Sequence, residues 1–329
     1  MLVPALMAAA LVALAVHSGA FGTGLTKGLA ALQSANLKLF WIAGAFFLLS
    51  LIAGANQWRT TLEGCGARLG TQGACARYGV GSLVNTFTPM RLGDAVRIVL
   101  FSRTLPQDEG RALTTGGALG TIEVARAIVQ ALLLATAAAV GALPLWPVAM
   151  LGGLAAAALV TLYALRRRHP SRRLEHLLDA FRGLASSPRR AASLLAWTAV
   201  SSVARVVAAT AIASSLGVPW SLQTGLIITV AIDSATIVPL MPGNLGIASG
   251  AVALALHSQG VPLSTAVAAG LSFHAVEAAT SIAFGGAGAL MLARFPTPAA
   301  RRLVLGLSAG IFATLVAGGL GFSVLPSIV

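Results

Sequence analysis

Apolar residues dominate this chain in long runs, near 2 to 19, 39 to 57, 113 to 140, 145 to 165, 191 to 216, 262 to 292 and 303 to 325. A helix crosses the hydrocarbon of a bilayer in roughly 20 residues, so the pattern predicts seven crossing helices. Two further apolar stretches are interrupted. Gly79 to Phe101 is broken by Pro89 and by Arg91, Asp94 and Arg97, and Leu222 to Ser258 is broken by "VPLMPGNLG". Each divides into two shorter pieces about a Pro/Gly kink, and each is expected to enter the membrane and return as a re-entrant hairpin. The opening run, "MLVPALMAAALVALAV", has no basic residue ahead of its apolar core. It is expected to remain as a first membrane helix and not to be cut as a secretory leader.

Composition narrows the class further. The 329 residues are 57% hydrophobic and 9% charged, with a mean hydropathy of +0.87. That leaves too little polar surface to coat a soluble globule, so the fold class expected is an all-α polytopic membrane protein.

A formal charge of +13 in a soluble protein would point to nucleic acid. Here the cations gather in loops beside apolar spans, so they mark topology, and no nucleic-acid partner is expected. Segment 166 to 190 carries eight arginines and is assigned to the cytoplasm. With both hairpins returning to the side they entered from, loops 58 to 78, 102 to 112, 166 to 190 and 294 to 302 share that side. Together they hold sixteen of the 22 Lys and Arg residues, against Lys27 and Lys38 opposite. The chain then spans a plasma or inner cell membrane many times, with its N-terminus cytoplasmic and its C-terminus outside.

That topology repeats with inversion. Residues 36 to 165 read as helix, hairpin, helix, helix, and residues 191 to 329 run through the same order with the hairpin entered from the opposite face. Residues 1 to 35 add one helix and loop in front, and 166 to 190 form the basic loop between repeats of a single integral membrane domain. Pro89 and Glu123 are 34 residues apart, Pro242 and Glu277 35, so each half sets an acid on the helix after its break.

Four arginines, Arg91, Arg97, Arg126 and Arg205, fall inside the membrane in this arrangement. A charge at the bilayer centre costs ~3 kcal/mol or more, so such residues face protein or water. Thr88 and Pro89 form a helix-start signal, a capping hydroxyl followed by a residue suited to the first turn. A helix starting there carries Arg91, Asp94 and Arg97 along one flank at steps of three. Its free amides and dipole, with two guanidinium forks, make an anion cradle suited to phosphate. Asp94 either orients an arginine or carries a proton. The competing interpretation is an interfacial turn whose arginines reach to lipid headgroups.

Glu123 and Arg126 are three apart and either serve the cavity or neutralise each other between helices. Arg205, Asp233 and Glu277 each need a partner from elsewhere in the bundle. In the second break, Pro242, Gly243, Asn244, Gly246 and Ser249 offer close backbone approach and neutral hydrogen bonds, or else a small-residue packing kink. Cys65 and Cys75 are expected to be unpaired thiols. His17, His257 and His274 form no ligand pattern, so neither a metal nor a cofactor is expected.

The two breaks carry a resemblance. "NTFTPMRLGDAVRIVLFSR" resembles the N-x-x-x-P-x-R-x-G-E/D-x-x-R signature of the lysylphosphatidylglycerol synthase transmembrane-domain family, and "PLMPGNLGIASGA" its later P-x-x-P-G-x-x-G segment. The likeness extends over about residues 35 to 325. By motif match it carries over Asn85, Pro89, Arg91, Gly93, Asp94 and Arg97, with Glu123 as the acid of the helix that follows. Two positions depart from the family pattern: Asp94 stands for the usual Glu, and Ser249 for a Glu after the second motif.

The resemblance implies a stand-alone, flippase-like membrane protein, and lysyl-lipid synthesis is not implied. The function expected is a lipid translocase that binds an anionic, phosphate-bearing headgroup, of a phospholipid or polyprenyl phosphate, in a mid-membrane cationic cavity. It is not expected to be an enzyme. The alternatives are an intramembrane enzyme using Asp94 or Glu123 as base, or a lipid-binding scaffold for a partner synthase. A homo-oligomer is the other association considered.

Overall fold

In a computed structural model, the structure describes residues 35–88, 92–106, 109–139, 172–235 and 245–293, with the single positions 153 and 160. Every element among the described residues is helical: α1 (Leu37–Glu63), α2 (Thr71–Phe87), α3 (Leu92–Ser102), α4 (Arg111–Ala139), α5 (Arg172–Ala185), α6 (Pro188–Ser215), α7 (Leu222–Ala235), α8 (Leu245–His257) and α9 (Leu263–Leu292).

Four of them, α1, α4, α6 and α9, are long and apolar enough to cross a membrane. They correspond to four of the seven predicted runs. Apart from positions 153 and 160, the runs at 2 to 19, 145 to 165 and 303 to 325 lie outside the described residues. Both interrupted stretches are pairs of shorter helices, α2 with α3 and α7 with α8, and the members of each pair pack on one another.

Two predicted loops are mostly helix. Segment 58 to 78 is helical to Glu63 and again from Thr71. The polar residues around this helix end do not signal a water-exposed loop, because Asn56, Gln57, Thr60 and Thr61 are buried. Thr61 Oγ1 donates to the Gln57 carbonyl at 2.9 Å, which satisfies a hydroxyl without leaving the helix. Segment 166 to 190 contains α5, whose Leu177, Ala180, Phe181 and Leu184 recur at helical spacing. That stripe packs α5 onto α4, and Ala180 is fully buried.

The ends of the long helices are set locally. Asn36 caps α1, its side chain accepting the Lys38 amide at 3.1 Å. The Asn36 amide donates to the Ser215 carbonyl at 2.9 Å, so the start of α1 is fastened to the end of α6. Those two helices share the most extensive interhelical contact, followed by α2 with α9. The second pairing depends on small residues: a Cβ on Gly285 would run into the Gly79 carbonyl and the Leu83 side chain.

Two apolar clusters form. One gathers Phe47, Ile212, Ile228, Ile232, Leu256 and Phe273, with Phe47 and Phe273 in edge contact at 4.9 Å. The other gathers Trp58, Leu62, Phe101, Ile122 and Leu194, with Trp58 stacked on Phe101 at 4.8 Å. Large side chains such as Trp41, Leu132, Val203 and Trp220 remain exposed, as expected where a lipid phase is the solvent.

Candidate functional site: a charged cavity inside the helix bundle

Members of both apolar clusters, Phe47 and Ile232 from one, Trp58 and Ile122 from the other, line a cavity of about 300 Å³. Its polar wall is assembled from seven helices, with Ser50 and Gln57 supplied by α1 and the remaining polar and charged groups by the other six.

The first side is the α2–α3 pair. Asn85, near the end of α2, accepts the Gly93 amide through Oδ1 at 2.7 Å, and so supplies the partner that an amide in the first turn of α3 needs. The predicted role of Thr88 is corrected here: its hydroxyl donates backwards, to the Val84 carbonyl at 2.7 Å, and closes α2. Gly93 is buried, and a Cβ on it would collide with the Gly81 carbonyl and with Asn85 Oδ1. Only glycine lets the two backbones meet closely enough for Asn85 to cap.

With the helices so placed, Asp94 Oδ1 accepts from Arg97 at 2.5 Å and from Asn85 Nδ2 at 3.4 Å. Arg97 also donates to Ser82 Oγ at 2.7 Å and lies 4.0 Å from the centre of the Tyr78 ring. Carboxylate, hydroxyl and aromatic face hold a guanidinium that is only 11% exposed.

The opposite wall comes from α4, α6, α7 and α9. Glu123 and Arg126 pair along α4, at 2.8 and 3.0 Å. Arg205 on α6 lies 3.3 Å from Glu277 on α9 and 3.8 Å from Asp233 on α7. Asp233 also accepts from Gln130 Nε2 on α4 at 2.5 Å. His274, one turn before Glu277, has Nδ1 3.7 Å from the Glu277 carboxylate.

Among the described residues that line the cavity, three arginines (Arg97, Arg126, Arg205) face four carboxylates (Asp94, Glu123, Asp233, Glu277). The cationic chamber expected from sequence is therefore not what these residues make, since each arginine has its own acid. The cause is local: Asp94 with Arg97 and Glu123 with Arg126 are three apart on one helix, where side chains meet.

The structure brings Asn85, Asp94, Arg97, Glu123, Arg126, Arg205, Asp233 and Glu277 to this one cavity, with Gly93 directly behind Asn85. Ser249 is buried on α8, where the Gly270 backbone approaches it, and is not part of the cavity wall. Gly246 falls in the first turn of α8. Pro89, Arg91, Pro242, Gly243 and Asn244 lie outside the described residues.

Four lining residues were missed from sequence: Tyr78, Ser82, Gln130 and His274, the last of them three residues before Glu277 on one helix. A signal existed for each. Tyr78, Ser82 and Asn85 follow the four-then-three spacing of one helix face, and so do Glu123, Arg126 and Gln130 read as three-then-four. Among the described residues no group of three or more His, Cys, Asp or Glu is placed to hold a metal ion.

A family model described as "Lysylphosphatidylglycerol synthase TM region" matches residues 1–285. No curated protein matches the chain.

Proposed function

The chain belongs to the lysylphosphatidylglycerol synthase TM region family, a membrane family related to lipid handling, and from that footing we propose that it is a lipid translocase. Its substrate carries a phosphate-bearing headgroup, which enters the charged cavity while the acyl or prenyl tails stay in the surrounding hydrocarbon. The observation that carries this proposal is the cavity itself, a cluster of seven charged side chains walled by helices long enough to span a membrane. Paired charge inside a membrane bundle marks a place where something polar passes through or docks.

The chemistry is an exchange of partners. Arg205 sits between Glu277 and Asp233 at 3.3 and 3.8 Å, distances that leave a guanidinium free to turn its fork toward a phosphate oxygen. Arg97 is held more tightly and serves as a fixed point of positive charge, joined by Arg91 through its place in the same motif. Replacing hydration by these contacts lowers the barrier to moving the headgroup between leaflets. The α2–α3 and α7–α8 pairs are the two re-entrant hairpins of an inverted repeat in this proposal, and the arginine-rich end of the bundle is cytoplasmic.

Reconstituted protein should carry fluorescent phosphatidylglycerol between leaflets, read by quenching from outside the vesicle, and Arg205→Gln should slow it at least tenfold. Protein that moves no phospholipid or polyprenyl phosphate sinks the proposal. Lipid recovered with an altered mass points instead to an intramembrane enzyme.

A further inference from the structure

His274 is a titratable side chain in the cavity to which partner exchange gives no task. It is 7% exposed, and its Nδ1 lies 3.7 Å from Glu277 Oε2. Its Nε2 is buried and has no hydrogen-bond partner among the described residues. A polar atom so placed costs free energy without a visible return.

The charges around it make a specific problem for an anionic substrate. Arg205 on α6 and Asp233 on α7 complete its immediate cluster. Beyond them the cavity presents Glu123 and Arg126 from α4, Asp94 and Arg97 from α3, and the Tyr78 phenol from α2. Helix α1 contributes only neutral groups to the lining, and α8 contributes none. Counting Arg205 against Asp233 and Glu277, the cluster carries one net negative charge when the imidazole is neutral. A phosphate that takes Arg205 adds a second negative charge and leaves Glu277 without its cation in a poorly solvated place.

Resting on the translocase proposal, we propose that His274 takes up one proton as the headgroup docks, so that lipid phosphate and proton occupy the cavity together. The imidazole accepts the proton from water, and the imidazolium replaces Arg205 as the partner of Glu277. No bond is made or broken in the lipid. The cluster returns to its original net charge, and a histidine, titrating near pH 6.5 when unperturbed, makes the change at pH 7.5 when the added negative charge lifts its proton affinity about a hundredfold or more. The chemical class implied is an anionic lipid moved with a proton.

Calorimetric titration of the detergent-solubilised protein at pH 7.5 with short-chain phosphatidylglycerol, a phosphodiester that does not itself titrate there, tests this. Comparing two buffers of different ionisation enthalpy should give uptake of about one proton per bound lipid. His274→Gln should show near-zero uptake per lipid bound. Uptake unchanged in that variant overturns the inference, because a carboxylate would then be the acceptor. Should the variant fold poorly, histidine-labelled wild type read by nitrogen NMR serves instead. One of its five imidazoles should become protonated when the lipid is added, and none changing overturns the inference. Wild-type binding without proton uptake sinks this inference alone, whereas no binding of the lipid at all sinks the translocase proposal with it.

Discussion

Gln130 on α4 donates a 2.5 Å hydrogen bond to Asp233 on α7, 103 residues further along the chain. These two helices otherwise touch little, so one amide ties together walls of the cavity that come from different halves of the sequence. Asp233 is also within reach of Arg205, which makes the amide the second of its supports.

Gln130→Leu should lower the melting midpoint in detergent by a few degrees, corresponding to about 1 kcal/mol, since Asp233 retains Arg205. Gln130→Glu should cost more, because it sets a like charge against Asp233 where the amide donated. Equal melting of the two variants would contradict the contact.

Asn85 joins α2 to α3 with two bonds, one to Gly93 and one to Asp94. Asn85→Ala removes both and should destabilise by about 1 kcal/mol, the usual value of a lost cap. Asn85→Asp keeps an acceptor for Gly93 but opposes Asp94 with a second carboxylate. Its thermal stability should therefore recover as pH is lowered through the carboxylate range, a recovery that Asn85→Ala lacks.

Gly93→Ala places a methyl against the Gly81 carbonyl. Backbone cannot yield as a side-chain tip does, so overpacking of about 1–3 kcal/mol or more is expected. The check is melting of the purified variant beside Gly286→Ala, whose Cβ meets nothing within 4 Å and which should melt near the wild-type value.

Arg205→Gln leaves Glu277 and Asp233 without their shared cation. Both carboxylates keep about a third of their surface accessible, which reduces the cost below that of a sealed pair, to about 2 kcal/mol. Adding Glu277→Gln should restore part of it, and a double-mutant cycle measures the coupling. Strict additivity would show that the pair does not interact.

Cys65, in the link after α1, has its thiol pushed up to about 11, first by burial and then by the charge of Asp179. A raised value keeps it protonated at pH 8, where it should alkylate with iodoacetamide about a hundredfold more slowly than an unperturbed thiol. Its rate should rise about tenfold per pH unit from there and level off only beyond pH 11. Peptide mass spectrometry separates it from Cys75.

Much of this architecture is written in the hydrophobic pattern. Runs such as 191 to 216 and 262 to 292 locate α6 and α9 to within three residues, because an uninterrupted apolar helix has few alternatives in lipid. Helix ends were harder: α1 continues to Glu63 through "NQWRTTLE", since buried polar residues satisfied within the bundle look in sequence like a loop. Asp94 beside Arg97 follows from spacing on one helix. Arg205 between Asp233 and Glu277 does not, because three separate helices must first pack before those groups meet. Charge balance was misjudged for this reason only at Arg205, whose acids come from other helices; Asp94 and Glu123 stood in view three residues from their arginines.

The apolar clusters described above are two, with the charged cavity bordered by both. Two waxy masses that share one hollow make a body less closely filled where they both border it. A hollow interrupts close packing and leaves fewer carbon–carbon contacts to break, so strain from the surrounding lipid is expected to be taken up there before it disturbs the apolar masses on either hand.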